Sequence, residues 1–159
     1  MIDLIRITPF GPDKSPLELN TLDYPITRSF EPEITVEEHN YKRPLQPGEW
    51  PAYTRDGALY ISVEGDVVGN LGSNYTTKRD ALVWATTPHR DADDLLVYRN
   101  HGVMELQLTG WAAVASQEYV ITSKSIPMTT DFVSVSEFHI VFKFPIPYFL
   151  NGSTRYYIA

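Results

Sequence analysis

The chain contains no cysteine among its 159 residues. This absence excludes a disulfide framework, a thiolate metal site and a cysteine nucleophile. The sequence also has no apolar run that approaches the ~18 residues of a membrane-spanning helix. Its N-terminus, MIDLIRITPFGPDK, places Asp3 ahead of the first basic residue and so lacks the layout of a signal peptide. We therefore expect a soluble protein that is not exported by a cleaved leader.

Positive charge is scarce as well. The chain has 13 Lys and Arg against 20 Asp and Glu, a formal net charge of −7, and a pI near 5.0. A surface that grips the nucleic acid backbone needs a basic patch, so this class of protein is not indicated. Tyrosine and proline are abundant, at 10 and 12 residues, which favours an all-β protein with irregular loops. The length fits a single domain over residues 1–159.

Residues 57–88 form the stretch around which the rest of the chain is arranged. Apolar and polar residues alternate over residues 59–64, and this period of two predicts a strand with one buried face. The helical spacing of Ala81, Leu82 and Ala85, ahead of a proline, then predicts a helix of about three turns. We expect it to be the only helix, flanking a sheet of antiparallel strands.

Short alternating runs bounded by Gly and Pro predict the remaining strands. Turn residues at 100–102 predict a hairpin between two of them. A change of parity predicts a bulge near Ser136 and Glu137, and Gly65 and Gly69 are expected to mark a bulge or a strand end. The predicted strands cover residues 2–7, 17–24, 30–36, 57–69, 95–98, 104–108, 112–122 and 132–144, with a last short strand after residue 148.

Residues 41–55 carry three prolines interleaved with Trp50 and Tyr53. Proline is excluded from helix interiors and central strands, so this segment is predicted to be an ordered loop or arm pinned by its aromatic residues. The two aromatic residues, together with Trp111, could instead stack on a sugar. Core or interface packing is the better interpretation of the aromatic surplus, because such residues dominate both.

No catalytic, cofactor-binding or metal-binding site emerges from the sequence. The cluster His89, Asp91, Asp93 and Asp94 could bind a divalent cation, but the positions that must hold Gly and Glu in a calcium loop hold other residues. The glutamates of residues 31–38 could supply carboxylates for glycoside hydrolysis, yet a solvated face or an interface is the commoner outcome. Zinc-ligand spacing, a nucleophile elbow and a phosphate-binding glycine loop are all missing. An enzyme is therefore not predicted.

Two segments resemble a known family. Residues 60–69 (YISVEGDVVG), followed by Lys78-Arg79-Asp80-Ala81-Leu82, resemble the strand and helix opening of the ring-forming domain of phage distal tail proteins. Residues 138–149 (FHIVFKFPIPYF) resemble the closing strand of that domain, with its proline and aromatic finish. The likeness covers roughly residues 57 to 150.

The resemblance implies a fold, an assembly and a role. The fold would be an antiparallel β-sandwich or barrel with one flanking α-helix, similar to tail-tube proteins. Six copies would form a ring in the virion tail that joins the tail tube to the tail-tip hub protein and lets DNA pass through its lumen. Many relatives carry a further carbohydrate-binding module, which we do not expect in this chain. A β-sandwich carbohydrate-binding module remains the alternative function.

The resemblance also leads to hypotheses about residues. We expect the arm at residues 41–53 and the hairpin at residues 112–144 to form contacts between subunits. We expect part of the acidic segments to line or border the lumen, because a negative wall lets DNA slide. The candidate interface residues are Trp50, Tyr53, Tyr119, Phe138 and Phe142. The candidate lumen residues are Glu31, Glu33, Glu37, Asp91 and Asp93.

Overall fold

The computed structural model describes residues 1–11, 14–41, 44–45, 47–48, 50–69, 73–87, 89–90, 96–98, 101–127 and 135–158. Within these ranges the chain forms eleven strands and one helix. In chain order they are β1 (Ile2–Pro9), β2 (Leu17–Leu19), β3 (Ser29–Tyr41), β4 (Trp50–Val68), α1 (Ser73–Ala85), β5 (His89–Arg90), β6 (Leu96–Tyr98), β7 (His101–Leu108), β8 (Ala115–Ser125), β9 (Val135–Phe144), β10 (Tyr148–Asn151) and β11 (Thr154–Tyr157).

Nine of the strands form one sheet in which every pairing is antiparallel. The main path runs β2-β1-β7-β8-β9-β4-β3, while β10 pairs with both β11 and β8. Strands β5 and β6 form a separate pair. The predicted fold class, mainly β with antiparallel strands packed as a sandwich and one flanking helix, is confirmed.

The hydrophobic core is built from the inward positions of alternating strands. In β4 the inward residues Leu59, Ile61 and Val63 are completely buried, as the sequence alternation predicts. β9 pairs with this strand over its whole length and contributes the even-numbered residues from Phe138 to Phe144. Each such side chain stabilises the fold by about 1.5–3 kcal/mol through burial. The buried apolar residues form a single cluster.

The bulge expected near Ser136 and Glu137 is wrong. Ser136 is buried and Val135 is 44% exposed, so the even-numbered residues of β9 face inward without interruption. Ser136 is a polar residue at an inward position. The hydrophobic pattern of the sequence therefore suggests a change of parity that the strand does not have. The register shift lies instead in β8, between Ile121 and Ser123.

The prediction of a hairpin between the strands on either side of residues 100–102 is also wrong. Within the described residues, β6 pairs with β5, whereas β7 pairs with β1 on one side and β8 on the other. Gly102 lies inside β7, where an added Cβ would collide with the backbone of Thr8 and Pro9. The glycine therefore permits a close approach of two strands and does not form a turn.

Gly65 and Gly69 also mark close approaches. β4 continues through Gly65 with no shift of register against β9. A Cβ at Gly65 would meet the carbonyl oxygen of Pro25 and the ring of Phe138, and one at Gly69 would meet the backbone of Tyr75. The expected interruption at Gly65 is therefore absent, and Gly69 is the first residue beyond the strand.

Strand β2 is shorter than predicted. It ends at Leu19, because Asn20 has a φ of 59° and turns the chain away from the sheet. The buried Tyr24 that follows donates a hydrogen bond from its hydroxyl to the carbonyl of Lys78 in the helix (2.8 Å). The end of the chain forms the hairpin β10–β11, where a single last strand was expected.

Helix α1 follows β4, as predicted, and covers residues 73–85. Leu82 and Ala85 are buried against the sheet, whereas Ala81 is exposed. Two lysines from distant parts of the chain bind carbonyl oxygens at its C-terminal end. The amine of Lys14 donates to Trp84 (2.5 Å) and that of Lys124 to Thr86 (3.0 Å), where cations also complement the helix dipole. In the described residues no helix is long and apolar enough to cross a membrane.

Tyr119 supplies a test of this core. Its side chain is buried, its ring packs edge-on against Phe142 with centroids 5.1 Å apart, and its hydroxyl has no hydrogen-bond partner among the described residues. Burial raises the pKa of the phenol above its ordinary value. We expect Tyr119→Phe to keep or raise the unfolding free energy at pH 7, by up to about 1 kcal/mol, because an unpaired polar group is removed.

The same substitution should change the response to alkaline pH. The folded state holds the phenol proton to a higher pH than the unfolded chain does, so stability is lost as the pH rises above about 10. Urea denaturation at pH 7 and at about pH 10.5 should show a smaller alkaline loss for Tyr119→Phe than for the wild type. The control Phe142→Ala should lose about 3–5 kcal/mol at both pH values. A destabilised Tyr119→Phe would mean that the hydroxyl is satisfied.

Candidate assembly surface

The hairpin formed by β3 and β4 extends beyond the neighbouring strand β9. β9 pairs with β4 only from Leu59 to Val68, so the earlier half of β4, from Trp50 onward, pairs with β3 alone. We call residues 36–41 and 50–56, which form this two-stranded part, the ribbon. At about 3.3 Å per residue, residues 50–58 extend about 30 Å past the end of β9.

Two irregularities shape the ribbon. The register between β3 and β4 shifts between Ile34 and Val36 and again between His39 and Asn40, with the additional residue on β4 each time. At the first shift, a Cβ on Gly57 would meet the side chain of Thr35, so the glycine lets the strands approach. Such bulges bend and twist a strand pair.

The ribbon corrects the expectation of a loop at residues 41–55. Residues from Trp50 onward form a strand, and Pro51 pairs with Asn40 within it. Proline is excluded from central strands because it lacks an amide donor, but both strands of a two-stranded ribbon are edges. The restriction on central strands therefore does not hold for Pro51. An arm-like segment is present, in the form of paired strands.

Apolar side chains are exposed on the ribbon and at its tip. Val36 is 61% exposed and Leu45, in the turn between the strands, is fully exposed. Leu45 also has a φ of 62°, a left-handed conformation that costs a residue with a Cβ about 1–2 kcal/mol. Glycine or asparagine would be more stable at such a position in water. An exposed leucine in a strained conformation makes the tip of the ribbon a candidate contact surface.

The candidate interface residues fall into two groups. Tyr119, Phe138 and Phe142 are buried in the core of the chain itself, so their side chains offer no surface to a second subunit. The unbroken alternation of β9 is the signal that could have assigned two of them to the core. The side chains of Trp50 and Tyr53 lie outside the described residues, although the backbone places both residues in the ribbon.

The acidic residues of β3 are exposed but do not form one patch. Glu31 and Glu33 lie opposite Ser62 and Tyr60 of β4 and form no ion pair with any described residue. Glu37 lies at the base of the ribbon, about 20 Å from Glu31 at the rise of an extended strand. Asp56 of β4 is beside it, since both line the same shallow depression. Asp91 and Asp93 lie outside the described residues.

A groove of about 530 Å³ lies beside the first half of β3. It separates this strand from the beginning of β1 and the end of β7. We call it the edge groove; its apolar lining includes Ile2, Ile26, Phe30, Leu108 and Ile158. These side chains are partly buried against the core and form an apolar floor, whereas the polar part of the lining includes Asn20, Thr27, Arg28 and Thr109.

Of the three aromatic residues proposed to stack on a sugar, only Trp111 has a described side chain. Trp111 packs on Tyr156 and Phe149, with ring centroids 5.0 and 6.2 Å away, and is half-buried. The ring of Trp111 therefore packs against other aromatic residues of the same chain. The other two residues of the proposed platform, Trp50 and Tyr53, have side chains outside the described set.

One polar pair was missed by sequence reasoning. The Ser62 hydroxyl lies 2.7 Å from Nε2 of His139, on neighbouring strands. Glu64 approaches the same ring nitrogen, at 3.9 Å. A catalytic triad needs the acid on the opposite nitrogen of the imidazole, so this arrangement does not activate the serine. Among the described residues, no group of three or more His, Asp or Glu could hold a metal ion.

Comparison with known proteins does not assign a family. No family model and no curated protein matches the chain. The ribbon, the edge groove and the exposed acidic residues are the features of the described structure that bear on function.

The ribbon can be tested as a separate element. Glu37 and Arg55 are register partners, so residues 38–54 can be replaced by Asn-Gly, which favours a tight hairpin turn. We expect the shortened chain to fold, because the deletion removes none of the residues in the buried cluster. Circular dichroism and urea denaturation should give a cooperative transition within about 1 kcal/mol of the wild type. An unfolded product would place the ribbon in the core.

Proposed function

We propose that the protein is a structural component of a phage tail, a distal tail adaptor. Six copies form a ring that joins the tail tube to the tail-tip hub, and DNA passes through its lumen without specific binding. The observation that carries the proposal is the ribbon, which extends from an antiparallel β core and exposes Val36 at its base and Leu45 at its tip.

The ribbon favours self-assembly for a physical reason. An isolated subunit keeps Leu45 in water and in a strained backbone conformation. It also leaves the strand edges of the two-stranded ribbon uncovered, which is a hazard for aggregation. A neighbouring subunit that receives the ribbon removes such costs, and a head-to-tail contact of this kind closes into a ring when the rotation permits.

The segments that carry the family resemblance are neighbours in the fold, which supports the proposal. Residues 60–69 belong to β4 and the residue beyond it, and the Lys78–Leu82 segment lies in α1. The closing segment begins in β9, which pairs with β4. The amine of Lys78 binds the carbonyl of Val68 (3.3 Å) and the carboxylate of Asp23 (2.6 Å), so the middle of the helix is held against the end of the strand.

Carboxylates at the base of the ribbon are the candidates for a wall that passes DNA. Glu37 and Asp56 line one depression there together with Lys143, and we propose that the two carboxylates border the lumen with Asp91 and Asp93. A wall of carboxylates releases no counterions from DNA and therefore does not hold it. The ring would assemble in the host cytoplasm and function in the virion tail.

Assembly is the first property to measure. Six copies of the 18.1 kDa chain give a mass of about 109 kDa, so light scattering with negative-stain images should report rings of this mass. Leu45→Asn should abolish them while keeping the monomer folded, because asparagine tolerates the left-handed conformation and removes the apolar contact. Leu22→Asn is the matched control, since Leu22 is 93% exposed outside the ribbon. Monomers at every concentration would contradict a ring that closes without partners.

Charge reversal tests the lumen. Glu37→Lys combined with Asp56→Lys should leave ring mass unchanged but slow DNA release from particles that carry the variant, because cations in the wall bind phosphate. Glu118→Lys, on an exposed position of β8, is the control for added charge. Release at the wild-type rate would exclude both residues from the channel wall, and loss of the ring would show that they belong to an interface.

A further inference from the structure

Strand β3 has one uncovered side. It is the last strand of the main sheet and pairs only with β4 among the described residues. The opposite end of the sheet is protected differently, because β2 has only three residues and its Glu18 is paired with Arg6 (2.6 Å). No described strand covers this edge of the thirteen-residue strand, so its amide and carbonyl groups, apart from the missing amide of Pro32, are available to another extended segment.

The two faces beside this edge differ in chemistry. Phe30 and Pro32 line the edge groove, so the side chains of an added strand that point this way would meet an apolar floor. Glu31 and Glu33 alternate with them and therefore lie on the other face, exposed and without an ion pair in the described part of the chain. Side chains of an added strand that point that way would lie beside two carboxylates.

We propose that the first half of β3 binds an extended segment of a partner protein in which apolar and basic residues alternate. Its apolar side chains occupy the edge groove and its Lys or Arg side chains pair with Glu31 and Glu33. Opposite charges directly across neighbouring strands stabilise the pairing, so the partner is selected by charge. Pro32 has no amide, so the added strand forms one main-chain hydrogen bond fewer at that position.

The same carboxylates exclude another copy of β3 as the occupant. Antiparallel pairing of two β3 strands around Pro32 would bring glutamates of one copy against glutamates of the other. Like charges directly opposite each other destabilise a strand pair. The inference stands apart from the proposed ring, since a single subunit offers the same edge. It concerns residues 29–34 and not the ribbon.

The test uses the full-length protein and synthetic peptides. A fluorescent, acetylated peptide with the alternating sequence Val-Lys-Val-Lys-Val-Lys-Val is titrated with protein and followed by anisotropy. Hydrogen exchange of the backbone amides is measured with and without the peptide. We expect saturable binding and slower exchange in residues 29–34. A peptide of the same composition with its four valines before its three lysines should bind at least tenfold more weakly, because it cannot place the two residue types on opposite faces.

Two variants locate the contact. Glu33→Lys should weaken binding of the alternating peptide about three- to tenfold, because it removes one cross-strand charge pair and replaces it with a repulsive one. Glu118→Lys changes the net charge equally but lies on β8, so it should bind as the wild type does. An alternating Val-Glu peptide should bind Glu33→Lys more tightly than it binds the wild type. Light scattering of each sample reports assembly separately, so loss of the ring and loss of peptide binding are distinguishable.

Three outcomes would overturn the inference. Equal affinity for the alternating and the block peptide would reduce the effect to general attraction by an acidic protein. Protection of amides outside β3 would move the site elsewhere. Absence of binding by the wild type, with the fold intact, would show that the edge does not accept such a strand.

Discussion

The unbroken antiparallel pairing of β4 with β9 is the interaction on which the rest of the structure depends. Ten consecutive residue pairs hold the two strands in register, from Leu59 with Phe144 to Val68 with Val135. Because alternate residues point inward along both strands, this register brings their apolar side chains into one cluster. β3 extends the sheet from β4, and β8 extends it from β9. The ribbon lies beyond the end of this pairing, where β4 pairs with β3 alone.

Much of the fold could be predicted from local patterns, and the reason is visible in β4. Its alternation is regular because one face packs in the core, so the strand, its inward residues and the following helix were all recognisable. The errors came from residues whose role depends on distant parts of the chain. Gly102 looks like a turn residue but permits contact with β1. Ser136 occupies an inward position that the sequence pattern assigns to an apolar residue.

The candidate assembly surface was predictable only in outline. An arm near residues 41–55 and acidic positions on β3 follow from composition, but the pairing of Pro51 within a two-stranded ribbon does not. The strained backbone of Leu45 has no signal in the sequence. Tyr119 shows the opposite limit: abundance of aromatic residues favours core and interface alike, and only the three-dimensional packing assigns a particular ring to one of them.

The two lysines at the end of α1 have a consequence for the order of folding. The helix ends in carbonyl groups that are satisfied by Lys14, which follows β1, and by Lys124, which belongs to β8. A helix of thirteen residues is only marginally stable alone in water. Its lysine partners reach it only after both distant segments have docked. The element that looks most local in the sequence is therefore expected to become stable late, once the non-local sheet has formed.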